Sequence, residues 1–383
     1  MTYQTDRIHY SSSIHKDYCD FDLSPDGSLI YVSAYGNPLI YYPSIHDLRE
    51  YQVAYMEANH QVISIDISRD GIYGVSTQVE PKRNSIDILL HRLKRMELLT
   101  VPLASTLSHH PTYYRLRSQQ LIGLGQFSQD SSLMSIMTQL FTQDNKYLYL
   151  VNTIGLNDQC SSYDNITTSL ILPDIGLTRM VPYRVFPIDQ SSIIVKSYHT
   201  YGDKFVTKID RYYQYKNGPK IVPITAVDAE ECLFTIDYSG QEVFCLTKDA
   251  SNYYGLDGYN LDQGCYKLRR RIQLDSRYRI CNDSSGVSMT RLGDKIYISH
   301  TEYLLIEGSS ERLLVIEVVD LTTGQSVTFT YFNPDFAFHK AINTPITKLR
   351  ASRDGDCIIV MIQSRPNMEI YNNELFLLKR IGK

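Results

Sequence analysis

The chain of 383 residues contains no tryptophan, and its seven cysteines (19, 160, 232, 245, 265, 281 and 357) form no Cys-x-x-Cys pair. That scatter excludes a zinc ribbon and suits neither a disulfide framework nor any other cysteine metal site. It reads as buried, reduced thiols. Proline is low at 14 and glycine ordinary at 20, which excludes collagen-like and low-complexity chains. Uninterrupted aliphatic runs are short. The longest, Cys357 to Ile362, falls far below the roughly 20 residues of a membrane-spanning helix. The first residues, MTYQTDRIHY, have no apolar core and do not read as a signal peptide, so the expected location is the cytoplasm. The Asn-x-Ser/Thr triplets at Asn165 and Asn282 are then chance occurrences. Excess positive charge is missing too. With 38 basic against 42 acidic residues the net charge is −4, so no global field draws the chain to nucleic acid. Catalytic signatures of the types G-x-S-x-G, G-x-x-x-x-G-K-[ST] and H-E-x-x-H do not occur. The expectation is a non-enzyme without cofactor or metal.

What is present is strand signal, with 43% hydrophobic residues and 31 tyrosines. No segment supports an amphipathic helix longer than about two turns. One phrase recurs: a polar turn with Asp, Ser or Gly, then a run rich in Ile, Val, Leu and Tyr. It reads SPDGS-LIYVS from Ser24, SRDG-IYGVS from Ser68 and SQDSS-LMSIM from Ser128. Further copies are IDQSS-IIVKS from Ile188, YSGQ-EVFCL from Tyr238, LGD-KIYIS from Leu292 and SRDGD-CIIVM from Ser352. The markers Asp26, Asp70, Asp130, Asp189, Ser239, Gly293 and Asp354 stand 44, 60, 59, 50, 54 and 61 residues apart. Periods of about 40–50 residues with room for four strands are the mark of propeller blades, and longer loops explain the excess. The fold expected is all-β: a seven-bladed β-propeller of four-stranded blades, as a single domain over 1–383. The blades fall at about 16–58, 59–104, 117–175, 180–227, 230–275, 285–332 and 345–383. The last unit lacks an outer strand after Glu374-LFLLKRI, and residues 3–12 are expected to supply it and close the ring.

The segment Val315-IEVVDLTTGQ resembles the strand-then-WDL-x-T-G phrase of the WD40-like propeller superfamily, with Val319-Asp320 in the Trp-Asp place, and Tyr259-NLDQG is similar. The superfamily's buried network built on Trp and His does not carry over, because Trp and a Gly-His pair are absent. Tyr packing is expected to hold the blades instead.

The most uneven charge lies at 266–279, YKLRRRIQLDSRYR, where Lys267, Arg269, Arg270, Arg271, Arg277 and Arg279 face Asp275 alone. Guanidinium forks match phosphate oxygens, so the cluster reads as an anion site. It reads equally as a solvated outer edge whose cations discourage strand pairing. Leu268-Arg269-Arg270-Arg271 resembles the Phe/Leu-Arg-Arg-Gly motif of the PROPPINs, phosphoinositide-binding propellers of autophagy and endosomes, with Arg271 in place of Gly. That resemblance implies headgroup contacts by Arg269 and Arg270, with Lys267, Arg271 and Arg277 in support, and a peripheral membrane location. The loop Thr322-TGQ is shorter than the family's membrane-inserting loop. Phe336 and Phe338 in 332–345 are a candidate hydrophobic docking point for a partner or membrane. His109-His110, Asp354-Gly-Asp356 and Asn260-x-Asp262-x-Gly264 have the wrong company for metal sites and read as loop and turn. The leading function expected is a scaffold that binds other proteins. The alternative is a PROPPIN-like phosphoinositide reader, and the third is a propeller hydrolase or lactonase, which a ring of carboxylates or histidines around the channel would favour.

Overall fold

The computed structural model describes residues 2–7, 18–34, 39–42, 52–55, 61–80, 85–93, 97–101, 116–121, 126–128, 130–142, 147–156, 166–172, 180–201, 204–214, 220–227, 233–237, 239–248, 254–274, 288–306, 309–331, 346–367 and 370–381. Among them there is no α-helix, and all strands lie in seven antiparallel sheets. Strand β1 (Thr2–Arg7) belongs to the last sheet. The first holds β2 (Tyr18–Leu23), β3 (Ile30–Ala34), β4 (Leu39–Tyr42) and β5 (Gln52–Tyr55). The second holds β6 (Gln61–Ile67), β7 (Tyr73–Glu80), β8 (Ser85–Arg92) and β9 (Glu97–Val101). In the third, β10 (Leu116–Leu121) and the short β11 (Gln126–Phe127) both pair with β12 (Leu133–Thr142), followed by β13 (Tyr147–Gly155) and β14 (Ile166–Leu172). This fifth strand is a departure from the four-strand expectation. The fourth sheet holds β15 (Met180–Asp189), β16 (Ser192–Tyr201), β17 (Lys204–Tyr213) and β18 (Lys220–Val227). The fifth holds β19 (Leu233–Ile236), β20 (Glu242–Lys248), β21 (Tyr254–Asp262) and β22 (Cys265–Gln273). The sixth holds β23 (Ser288–Leu292), β24 (Lys295–Ile306), β25 (Ser309–Asp320) and β26 (Ser326–Tyr331). The last has the order β27 (Ile346–Ala351), β28 (Cys357–Asn367), β29 (Ile370–Ile381), β1. Strand β1 runs against β29 in register from Thr2↔Ile381 to Arg7↔Phe376. Residues 8–12 of the closing segment read from sequence lie outside the described residues.

The runs that mark the repeat are apolar on both faces because each second strand is covered on both sides. Val243 and Cys245 of β20 pack toward the fourth sheet with Ile188 and Ile209, while Phe244 and Leu246 pack toward the sixth with Ile296 and Ile298. Tyr297 turns the other way, onto Ile358 and Val360 of the last sheet. Ile359 and Met361 in turn meet Phe21, Ile30 and Val32 of the first. Tyr31 then packs on Ile65 and Ile67 of the second. Met137 and Val151 of the third sheet join Val185 and Val195 of the fourth. Tyr31 and Tyr297 are among the largest fully buried side chains, in keeping with tyrosine as the core aromatic. In the place where the WD40 phrase has Trp, Val319 is buried between the fifth and sixth sheets.

The repeated polar turn is self-sufficient. Ser24 Oγ donates to Asp26 Oδ1 at 2.6 Å, Ser28 N donates to the same oxygen, and Leu29 N donates back to Ser24 Oγ. The same bonds recur at Ser68/Asp70, Ser128/Asp130 and Ser352/Asp354. The repeat markers are therefore turn formers.

Candidate functional site

Among the described residues, strands β2, β6, β15, β19, β23 and β27 each pair with one strand only, and acidic side chains bond to backbone N–H groups between several neighbouring sheets. Asp20 Oδ2 accepts from Ile65 N at 2.7 Å and Asp22 Oδ2 from Ile67 N at 2.5 Å, joining β2 to β6. Asp66 Oδ2 accepts from Phe127 N at 3.2 Å, joining β6 to β11. On the other side of β2, Lys348 Nζ donates to Asp20 Oδ1 at 2.7 Å and lies 5.4 Å from the Phe21 ring centroid. Arg350 Nε donates to Asp22 Oδ1 at 2.9 Å, and its Nη1 to the Leu349 carbonyl and Thr290 Oγ1. Alternation places Asp20 with Asp22, and Lys348 with Arg350, on matching faces of neighbouring strands. One cluster thus links the sixth, last, first, second and third sheets.

Its electrostatics divide the carboxylates. Against the burial that would raise it, the Arg350 and Lys348 charges and two backbone donors hold Asp22 below the usual carboxylate range. Burial, with the Asp22 charge second, pushes Asp66 up to about 7, although Arg350, Lys348 and Arg69 draw it down. None of these residues stood out in the sequence. The signal that could have found them is the period-two spacing of Asp20/Asp22 against Lys348/Arg350, which gains meaning only when β27 and β2 are known to be neighbours.

Turns of the first, second, third and last sheets border a cavity of about 480 Å³ lined by Asp26, Arg69, Asp70, Asp130, Ser131 and Arg353, among others. Adjacent turns interlock there: Arg353 N donates to the Pro25 carbonyl at 2.7 Å and Asp70 N to Ser131 Oγ at 2.9 Å. Hydrogen bonds within the turns keep Asp26 and Asp130 ionised, below the usual carboxylate range in spite of partial burial.

The basic segment forms β22, the outer strand of the fifth sheet, and its arginines divide. Arg270 points inward: Nη2 donates to Glu242 Oε1 at 2.9 Å and Nη1 to the Leu321 carbonyl at 2.6 Å, and its guanidinium lies 4.8 Å from the Phe244 centroid. Arg291 of the sixth sheet takes the other Glu242 oxygen, at 3.1 Å, and covers the same ring. Arg270 is therefore a clasp between the fifth and sixth sheets. Lys267 and Arg269 both donate to Asp262 Oδ2, and Arg271 grips Asp257 through Nε and Nη2. These three side chains are more than half exposed. Arg277, Phe336, Phe338 and His109-His110 lie outside the described residues.

Other chemistry-bearing groups fall into place as structure. Asp354 is taken by its turn and Asp356 meets Arg380, while Asp262 serves Lys267 and Arg269. Among the described residues, no group of three or more His, Cys, Asp or Glu is placed to hold a metal ion. Ser197 Oγ lies 2.9 Å from His199 Nε2, but both side chains are buried. Of the described cysteines, Cys245 is buried and Cys357 half-buried, but Cys265 is exposed at the β21–β22 turn, which corrects the reading of all thiols as buried.

In fold, the chain resembles WD40-repeat structures. It is similar to the solved structure of U3-55K with a TM-score of 0.51 and 11% identity over 98% of both chains. The RRP9 WD40 repeats give a TM-score of 0.49 and 11% identity over 98% of this chain and 97% of that one. A functionally unknown protein from Desulfotomaculum acetoxidans gives 0.40 and 12%, over 82% and 86%. At such identities a likeness concerns the fold alone. No family model matches the sequence, and neither does any curated protein.

Proposed function

We propose that this chain is a closed, seven-bladed propeller that acts as a non-enzymatic scaffold holding partner proteins on its rim and faces. The observation that carries the reading is the use of buried and half-buried charge between sheets. Asp20, Asp22, Lys348, Arg350, Glu242 and Arg270 all tie one sheet to the next. Paired charges of this kind favour a rigid disc with a fixed arrangement of loops. Packing from sheet to sheet and the β1–β29 pairing support the closed ring. Asp20 and Asp22 are each held by a cation, which favours a structural role for them over a hydrolytic one.

A second reading, a peripheral phosphoinositide reader, draws on the exposed cations Lys267, Arg269 and Arg271. The bonds of Arg270 to Glu242 and the Leu321 carbonyl engage one of the two arginines of that reading and weigh against it. Affinity purification of the tagged chain from its native cell, with crosslinking and mass spectrometry, tests the scaffold. A reproducible, near-stoichiometric set of partners is expected. A chain that elutes alone at every salt concentration overturns the proposal.

A further inference from the structure

The cavity bordered by the turns of four sheets carries polar groups that the turns do not use up. Asp26, Asp70 and Asp130 line it, together with Arg69 and Arg353. Each of the three carboxylates spends Oδ1 on its own turn. Among the described residues, Asp26 Oδ2 and Asp70 Oδ2 accept no hydrogen bond. The two guanidiniums have partners of their own in the chain. Arg69 also serves the inner cluster, where its charge is among those that offset the burial raising Asp66. Three carboxylates against two engaged cations leave the cavity negative.

Ser131 is a second and independent feature of the wall. It has φ +62° at the turn position where the equivalent residues are Gly27, Gly71 and Gly355. A side chain is strained in that conformation, and this one is kept. Ser131 is only 4% exposed, and its Oγ accepts from Asp70 N at 2.9 Å. Its O–H meets no acceptor among the described residues. A buried donor on a cavity wall is costly to leave without an acceptor, which a ligand can supply.

We propose that this cavity receives an arginine side chain from a segment of a partner protein, its guanidinium donating to Asp26 and Asp70 and a neighbouring backbone carbonyl accepting from Ser131. The inference rests on the scaffold reading and names the class of partner. Among the described residues no three His, Cys, Asp or Glu are placed to hold a metal ion, so the carboxylates are too spread for one compact cation. A planar fork with five donors reaches oxygens on neighbouring turns, and an ammonium point charge reaches fewer. The volume of about 480 Å³ lies within the range of ligand pockets and admits the side chain with its flanking backbone. The wall also selects. An anionic group meets three carboxylates, and a neutral one leaves their oxygens unanswered.

The test is isothermal titration calorimetry on the full chain with the capped pentapeptide Gly-Ser-Arg-Ser-Gly. Controls are the same peptide with lysine or with citrulline, the uncharged isostere, in the central place. One variant is Asp26→Asn with Asp70→Asn, which keeps Oδ1 as the acceptor of each turn. The other is Ser131→Gly, which removes the hydroxyl and takes the residue that three equivalent turns already have. Thermal melting of both variants confirms that they fold. Expected is salt-sensitive binding of the arginine peptide, about tenfold or more weaker for citrulline and for the double variant, and about threefold weaker for Ser131→Gly. The lysine peptide should bind more weakly than arginine. No binding of the arginine peptide, equal binding of lysine or citrulline, or undiminished binding by either variant overturns the proposal. If purified wild-type and double-variant chains hold the same partners, the cavity assignment fails and the scaffold stands. If the wild type holds none, the scaffold itself fails.

Discussion

Asp20 and Lys348 are separated by 328 residues of sequence and by 2.7 Å in space. Their pair, with Asp22–Arg350 beside it, couples the first sheet to the last near the inner strands, while β1 joins the two chain ends at the outer edge. Buried pairs of this kind add little over an apolar pair, yet breaking one leaves an uncompensated charge.

Replacing Arg350 by Ala should therefore destabilise the fold by about 3–5 kcal/mol, because Asp22 loses the cation that holds it ionised. Adding Asp22→Asn should recover part of that loss. A double-mutant cycle by urea denaturation measures the coupling, and additive effects would show that the pair does not act as a unit.

Removing residues 1–7 should lower the melting temperature sharply. The six-residue ladder between β1 and β29 is lost, at about 0.5–1.5 kcal/mol per hydrogen bond, against a total stability of roughly 5–15 kcal/mol. Differential scanning calorimetry reads the shift. An unchanged transition would mean that β1 contributes no closure.

Stability should depend on pH through Asp66. Its folded value of about 7 lies above the ordinary 3.8, so the folded chain binds this proton more tightly than the unfolded chain. Its contribution is fully present below about pH 4 and is lost as pH rises through about 7. Asp22, lowered, acts in the opposite sense and loses its contribution only in acid. Asp66→Asn should thus stabilise the protein more at pH 8 than at pH 5, relative to wild type. A difference in melting temperature that stays constant across this range would contradict the assignment.

Two glycines with similar backbones should respond differently to alanine. Gly27 has φ +71° and a Cβ there would lie 2.8 Å from Ser352 Cβ, where the first and last sheets meet. Gly264 has φ +79° with nothing within 4 Å. Gly264→Ala should cost about 1–2 kcal/mol of left-handed strain alone, and Gly27→Ala clearly more. Equal losses would show that the two turns do not pack as described.

Thiol accessibility separates the cysteines. Cys265 should react promptly with a disulfide reagent in the native protein, and Cys245 should wait for unfolding. Cys357 should also be slow, because burial and the Asp354 charge push its thiol up to about 11. Prompt reaction of Cys245 would place it on an accessible surface.

The strand content and the repeated turn were legible because they are local. Ser24, Asp26 and Ser28 satisfy one another within five residues, and runs such as Leu29-IYVS announce strands covered on both faces. The basic row of β22 was equally visible, since charge is a property of composition. Its division was not. Arg270 and Arg271 are chain neighbours, but one reaches the Leu321 carbonyl of the next sheet and the other Asp257 of its own. Only the pleat and the bulge at Gly258 decide which guanidinium turns in and which stays outside. Likewise the acidic residues of β2 carry no mark in the sequence, because hydrophobic alternation says which residues are covered and not which strand will lie alongside. The sequence by itself determined the strands, their turns and the apolar faces, through interactions a few residues long. The tertiary structure alone decided that Asp20 and Asp22 meet Lys348 and Arg350, because pairing across 328 residues depends on where the sheets come to rest.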